Sequence, residues 1–141
     1  CSNGWGCAAI RVGMAFAQKD IIDIFNKVKH PYNISTLTQR QAIEALKEPY
    51  EVDKWVKTIL LERGRMIEAF RLLPFCERIY PTDANFFLAK MNDAQAIYDY
   101  LKSNGVIVRN RANVHLCNNC LRITIGSKSE NNELLSALRQ Y

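Results

Sequence analysis

Arg11, Arg109 and Arg122 are the side chains of this sequence best suited to chemistry with an anion. Arg11 follows the small-residue segment Gly4-Trp5-Gly6-Cys7-Ala8-Ala9 and stands near the start of the apolar run Ile10 to Ala17. Arg122 lies in the alternating segment Leu121-Arg122-Ile123-Thr124-Ile125, and Arg109 ends Val106-Ile107-Val108-Arg109, its expected neighbour. A guanidinium fork matches carboxylate or phosphate oxygens through two parallel hydrogen bonds, so it suits a site that must hold a phosphate in one orientation. An internal ion pair is the other use of such arginines and, from sequence alone, the more common one.

Other chemistries find less support. Cys117-Asn118-Asn119-Cys120, with His115 just before it, has the form of half a zinc site or of a redox pair. A structural zinc needs a second paired set of ligands, and Cys1, Cys7, Cys76 and His30 show no such spacing, so no metal is expected. A thioredoxin-type pair opens a helix, whereas Cys120 leads into a strand. Gly126-Ser127-Lys128-Ser129 ends like a phosphate-binding loop, but Leu121 occupies the place of the first glycine, and the segment reads as a strand-to-helix turn. His30 and His115 form no nucleophile, base and acid set with any serine or cysteine.

The elements that must position these residues follow from periodicity. Ile10 to Ala17 reads as a strand buried on both faces. Ile21, Ile22, Ile24, Phe25 and Val28 mark one side of a helix that Pro31 forbids from continuing. Thr36 and Gln39 have the spacing of a capping box ahead of Ala42, Ile43 and Leu46, with Pro49 closing that helix. From Val52 to Phe70 apolar residues recur at threes and fours, giving a long helix that ends before Pro74. Beyond it come a strand at Phe86-Ala89, a helix over Asp93-Ser103 stopped by Asn104-Gly105, strands at Val106-Arg109 and Leu121-Ile125, and a helix starting near Ser127. Residues 51–141 thus form an α+β unit with helices on a mostly antiparallel sheet. Residues 1–50 leave a buried strand with nothing in the chain to pair with it.

With 141 residues, 48% of them hydrophobic, the chain can bury a sizeable core. Its longest apolar run is too short to cross a bilayer and is interrupted by Arg11. No signal peptide stands at Cys1 to Trp5, and the chain is expected to begin in mid-protein. Five cysteines at irregular spacing fit reduced thiols in the cytoplasm, and the sequon Asn33-Ile34-Ser35 then carries no weight. The net charge of +5 is spread among acidic residues along the helices, as in Lys54, Lys57, Glu62 and Arg63. That is the pattern of a solvated face and not of a nucleic-acid interface.

Several motifs occur together and in order: Gly6-Cys7-Ala8-Ala9-Ile10-Arg11-Val12-Gly13-Met14, Lys29-His30-Pro31-Tyr32-Asn33-Ile34-Ser35, Pro81-Thr82-Asp83-Ala84-Asn85-Phe86-Phe87-Leu88, and Gly105 to Arg109 followed by Leu121 to Gly126. Together they resemble the C-terminal portion of histidinol-phosphate aminotransferases, from one end of the chain to the other. The resemblance implies an α/β fold in which residues 1–50 are the end of a large domain that binds pyridoxal 5'-phosphate. Residues 51–141 would be the small α+β domain, reached through the long helix. It further implies amino transfer between glutamate and imidazole-acetol phosphate in histidine biosynthesis, in a homodimeric parent. By position, Ser2 and Arg11 would hold the cofactor phosphate, and Arg109 and Arg122 would receive the substrate's phosphate or carboxylate. The family's catalytic lysine falls at position 3, eight residues before Arg11, where this chain carries Asn3. An amide can neither form the imine nor shuttle the proton, so the chain alone is expected to be inactive and not to bind the cofactor tightly. A related enzyme such as a threonine-phosphate decarboxylase or an aromatic aminotransferase is the alternative within the class, and a non-catalytic anion-binding module the alternative outside it.

Overall fold

The computed structural model describes residues 5–141, which divide into two compact units, one ending at Trp55 and one running from Val56 to Tyr141. Ser2 and Asn3 lie outside the described residues.

In the first unit a 3-10 turn, Ala8–Ile10, is followed by helices α1 (Lys19–Val28) and α2 (Thr36–Leu46). The strand expected over Ile10 to Ala17 is absent: residues 11–18 carry no regular structure, and Phe16 is 90% exposed. A strand apolar on both faces is stable only between neighbours that take up its backbone N–H and C=O groups, and none stands beside it among the described residues. α2 is capped one residue earlier than the Thr36-Gln39 spacing suggests. Ser35 Oγ accepts the Thr38 backbone N–H at 3.1 Å, while Gln39 Nε2 donates to the Ile34 carbonyl. Pro49 does not terminate α2; it opens helix α3 (Pro49–Arg71), where its missing N–H costs nothing.

α3 runs on into the second unit, where it is followed by β1 (Cys76–Ile79), β2 (Phe86–Met91), α4 (Ala94–Ser103), β3 (Arg109–Asn110), β4 (Cys120–Thr124) and α5 (Lys128–Gln140). The strands form one antiparallel sheet in the order β1-β2-β4-β3. Alternation decides its faces. Phe87, Ala89 and Met91 of β2 and Leu121 and Ile123 of β4 turn to one side, where Met66 and Phe70 of α3, Ile97 and Leu101 of α4, and Leu134, Leu135 and Leu138 of α5 complete a continuous core. Phe70 and Phe87 meet edge to face, with ring centroids 5.0 Å apart. The residues of opposite parity, Phe86, Leu88, Lys90, Arg122 and Thr124, lie outside that core.

β1 went unread in the sequence, and β3 is shorter and later than the expected Val106–Arg109 strand; Val106 and Val108 instead pack against the core as coil. Asp93 caps α4 by accepting the Ala96 N–H at 2.9 Å. At the far end of α4, Val106 N–H reaches the Leu101 carbonyl and Gly105 N–H the Lys102 carbonyl, a Schellman closure that uses the positive φ of Gly105. Among the described residues no helix is long and apolar enough to cross a membrane.

Candidate anion-binding site

Arg109 and Arg122 are direct partners across the β3–β4 ladder. Directly opposed residues hold their Cβ atoms about 4.5–5.5 Å apart, and like charges so placed repel. The pair is therefore tolerable where an anion can lie between or over it. Arg122 is half-buried, with its guanidinium 4.9 Å above the ring of Phe86, two residues along β2 from its direct partner Leu88. Stacking on an aromatic face fixes the plane of the fork. The Nε atom of Arg122 is buried and has no hydrogen-bond partner. A buried N–H without an acceptor costs free energy that a bound oxyanion would recover. Arg109 is exposed at the sheet edge.

Both arginines line a cleft of about 970 Å³, bounded by the chain from Gly105 to Arg111, by Tyr98 of α4 and by the start of α5. Its walls are anchored from several sides. Asn110 donates from Nδ2 to Gln95 Oε1 at 2.8 Å and accepts the Ala112 N–H at 2.8 Å, tying the short strand β3 to α4. The turn from β4 into α5 is a strand-to-helix junction, as its sequence implies, with a complete capping box. Ser127 Oγ accepts the Glu130 N–H, and the Glu130 carboxylate accepts the Ser127 N–H. A Cβ at Gly126 would meet Glu130 Oε2 at 2.8 Å, so a side chain there would displace the capping carboxylate. Those hydrogen bonds hold Glu130 below the usual carboxylate range.

Beneath this turn lies a buried polar relay. Asn131, 2% exposed, accepts the Gly126 N–H at Oδ1 and donates from Nδ2 both to the Gly126 carbonyl and to Glu62 Oε2 at 2.8 Å. Glu62 also accepts three bonds from the Arg65 guanidinium, two from Nε and one from Nη2, the closest at 2.6 Å. The Arg65 hydrogen bond, then that of Asn131, pulls the Glu62 carboxyl below its ordinary pKa. Glu62 is thus no part of a solvated face, and neither is Arg63, which is half-buried and donates to the Ala84 carbonyl at 2.7 Å. The charge pattern places Glu62 on a solvated face, and Asn131 drew no expectation at all. The signal was present: Asn131 shares the helical stripe of Leu134, Leu135 and Leu138, and Glu62 shares that of Ile59, Met66 and Phe70, so each is a polar residue at a core position.

Arg11 belongs to the first unit. It follows the 3-10 turn with φ 55 and ψ 42, donates its backbone N–H to the Ala8 carbonyl and exposes its side chain. Cys117 and Cys120 are free thiols, and among the described residues no cluster of His, Cys, Asp or Glu could hold a metal ion.

The family model described as aminotransferase class I and II matches residues 1–138. The histidinol-phosphate aminotransferase of Bacteroides fragilis is 54% identical over 140 residues, covering 99% of this chain and 41% of its own length. Among solved structures, the histidinol-phosphate aminotransferase from Clostridium acetobutylicum is 27% identical, with a TM-score of 0.79 over 87% of this chain and 38% of its own. A putative aminotransferase from Burkholderia pseudomallei is 26% identical, with a TM-score of 0.88 over 98% of this chain and 42% of its own. The chain thus spans about two fifths of the length of the relatives it matches.

Proposed function

Because this chain belongs to the class I and II aminotransferase family, we propose that it is the C-terminal portion of a histidinol-phosphate aminotransferase. The parent would exchange an amino group between glutamate and imidazole-acetol phosphate, as a homodimer using pyridoxal 5'-phosphate. Residues 1–50 would be the tail of its large domain and residues 51–141 its small domain. Within the chain, the observation that carries this reading is the Arg109–Arg122 cross-strand pair with its orphaned Nε at the cleft. It is a ready-made receptor for the phosphate or carboxylate of a small substrate.

The cofactor supplies the electron sink of transamination when bound. The residues of this chain fit it only in part. Arg11 presents an exposed guanidinium that, with Ser2, would hold its phosphate, but Asn3 stands where a lysine amine is required. Arg122 would orient the substrate anion over the sheet, Arg109 would close on it from the edge strand, and the capped β4–α5 turn would keep the fork fixed. The inability of these 141 residues to transaminate is part of the proposal.

Two measurements test it. Incubating the chain with histidinol phosphate, 2-oxoglutarate and added cofactor should give no glutamate; turnover would refute the inactivity. Titrating the chain with histidinol phosphate and with histidinol should perturb the NMR signals of residues 105–126 only in the phosphorylated case, and Arg122→Leu should abolish the response. Equal responses would remove the phosphate reading. Asn3 also favours a second reading, a non-catalytic anion-binding module. Binding of a generic polyanion in preference to histidinol phosphate, steeply weakened by salt, would support it.

A further inference from the structure

Cys120 is completely buried, yet it takes no part in the helix-packed core. Its parity along β4 is that of Arg122, so it lies on the other face of the sheet, opposite Lys90 of β2. Its thiol has polar company there: the Asn118 carbonyl accepts from Sγ at 3.5 Å, and Tyr80 and Lys90 interact with the sulfur. Cys117, half-buried, sits three residues earlier, at the opposite corner of a turn closed by the Cys120 N–H on the Cys117 carbonyl at 3.0 Å. Such a turn brings its end Cα atoms within about 7 Å, and a disulfide spans Cα separations of about 4.4–6.8 Å. Asn119 takes the positive φ of 56° that the turn needs, a conformation asparagine tolerates. The turn is held at both ends. The Met91 N–H donates to the Asn119 carbonyl at 2.8 Å, and the Arg111 N–H to the Cys120 carbonyl at 2.9 Å.

We propose that Cys117 and Cys120 are a reversible disulfide site that reacts by exchange with a low-molecular-weight disulfide. Cys117, the more accessible sulfur, attacks one sulfur of the small disulfide, whose S–S bond breaks; the departing thiolate takes up the proton that Cys117 lost. Cys120 then attacks the Cys117 sulfur of the mixed disulfide, and the second small thiol leaves with the Cys120 proton. Two protein thiols and one small disulfide become one protein disulfide and two small thiols. No metal is involved, and the reaction is independent of any aminotransferase function. Its product cross-links the turn that leads directly into the strand bearing Arg122. Cys76 is no competitor, since its strand β1 is separated from β4 by β2, so that two strand spacings of about 4.8 Å intervene.

The test uses the whole reduced chain and oxidised glutathione. Trypsin cuts after Arg111 and Arg122, so both cysteines fall on one peptide, residues 112–122, that contains no other cysteine. Oxidation should make this peptide lighter by two hydrogen atoms, should remove two of the five thiols from titration, and should be reversed by dithiothreitol. In Cys120→Ser the second step is blocked, and Cys117 should accumulate a stable glutathione adduct; Cys76→Ser should change nothing. The proposal is overturned if both thiols of residues 112–122 remain open to alkylation, if glutathione adducts persist there in the unsubstituted chain without ring closure, or if Cys76→Ser abolishes the cross-link.

Discussion

Helices α1 and α4 are each ten residues long and amphipathic, yet α4 buries Ala94, Ile97 and Leu101 and α1 buries nothing. The contrast extends to the units that carry them. Residues 56–141 assemble a core that runs from Met66 to Leu138, whereas in the described part of residues 1–55 only Val12 joins the buried hydrophobic residues. Ile24, Phe25 and Val28 of α1 and Ile43 of α2 are all largely exposed. An apolar stripe contributes stability only when another surface removes it from water, at about 25 cal/mol per Å². The second unit has a sheet to offer its helices, and among the described residues the first has none.

Truncating one phenylalanine in each unit should separate the two regions most widely. Phe87 is fully buried and Phe16 is 90% exposed. Phe87→Ala should lower the unfolding free energy by about 3–5 kcal/mol, the usual cost of emptying a packed aromatic site. Phe16→Ala should change it by less than about 0.5 kcal/mol, as surface substitutions do. Urea unfolding followed by circular dichroism would measure both. A large effect from Phe16→Ala would mean that residues 11–18 are packed in solution and that the two regions are not so unlike.

The same contrast governs what could be read from sequence. α4, α5 and strands β2 and β4 were legible because each buries one side, so burial imprints a period on the residue order. The segment Ile10 to Ala17 misled for the complementary reason: an apolar composition suits a buried strand, but composition cannot reveal whether neighbouring strands are present to bury it. β1 escaped because Cys76-Glu77-Arg78-Ile79 shows little alternation and is broken by a bulge. Of the candidate site, the arginines were legible as residue types, but their direct opposition depends on a register that only the assembled sheet supplies. The Glu62–Asn131 relay was hidden because polar helical residues usually face solvent, and only the assembled core shows that these two satisfy each other inside it.

That relay allows a second, smaller test within the ordered unit. Asn131→Leu removes the partners of buried groups at Gly126 and Glu62, and should cost about 1–3 kcal/mol in urea unfolding. It should also flatten the acid limb of the stability profile. Glu62 has a lowered pKa in the folded chain, so its contribution is fully present above the ordinary carboxylate pKa of about 4.3 and is lost as pH falls through the lowered value. With Asn131 gone, the smaller of the two main causes of that shift is removed, and less stability should disappear between neutral and acid pH. Arg65 remains, so the acid limb should persist in part. An unchanged limb would mean that Asn131 serves the Gly126 turn alone.

The smallest effect is expected at the Arg109–Arg122 pair, and there the sign matters more than the size. Interactions inside the core contribute stability in the folded chain whatever the solution contains, but two like charges opposed across a ladder do so only when an anion is bound. Arg109→Leu should therefore leave stability unchanged or raise it by up to about 1 kcal/mol in a chloride buffer of low ionic strength. Millimolar histidinol phosphate should raise the thermal midpoint of the unsubstituted chain and not that of the variant, because only a native state with an intact anion receptor gains from the ligand. If Arg109→Leu were instead destabilising without ligand, Arg109 would be held by an internal partner, and the cleft would be a structural feature of the second unit and not a receptor.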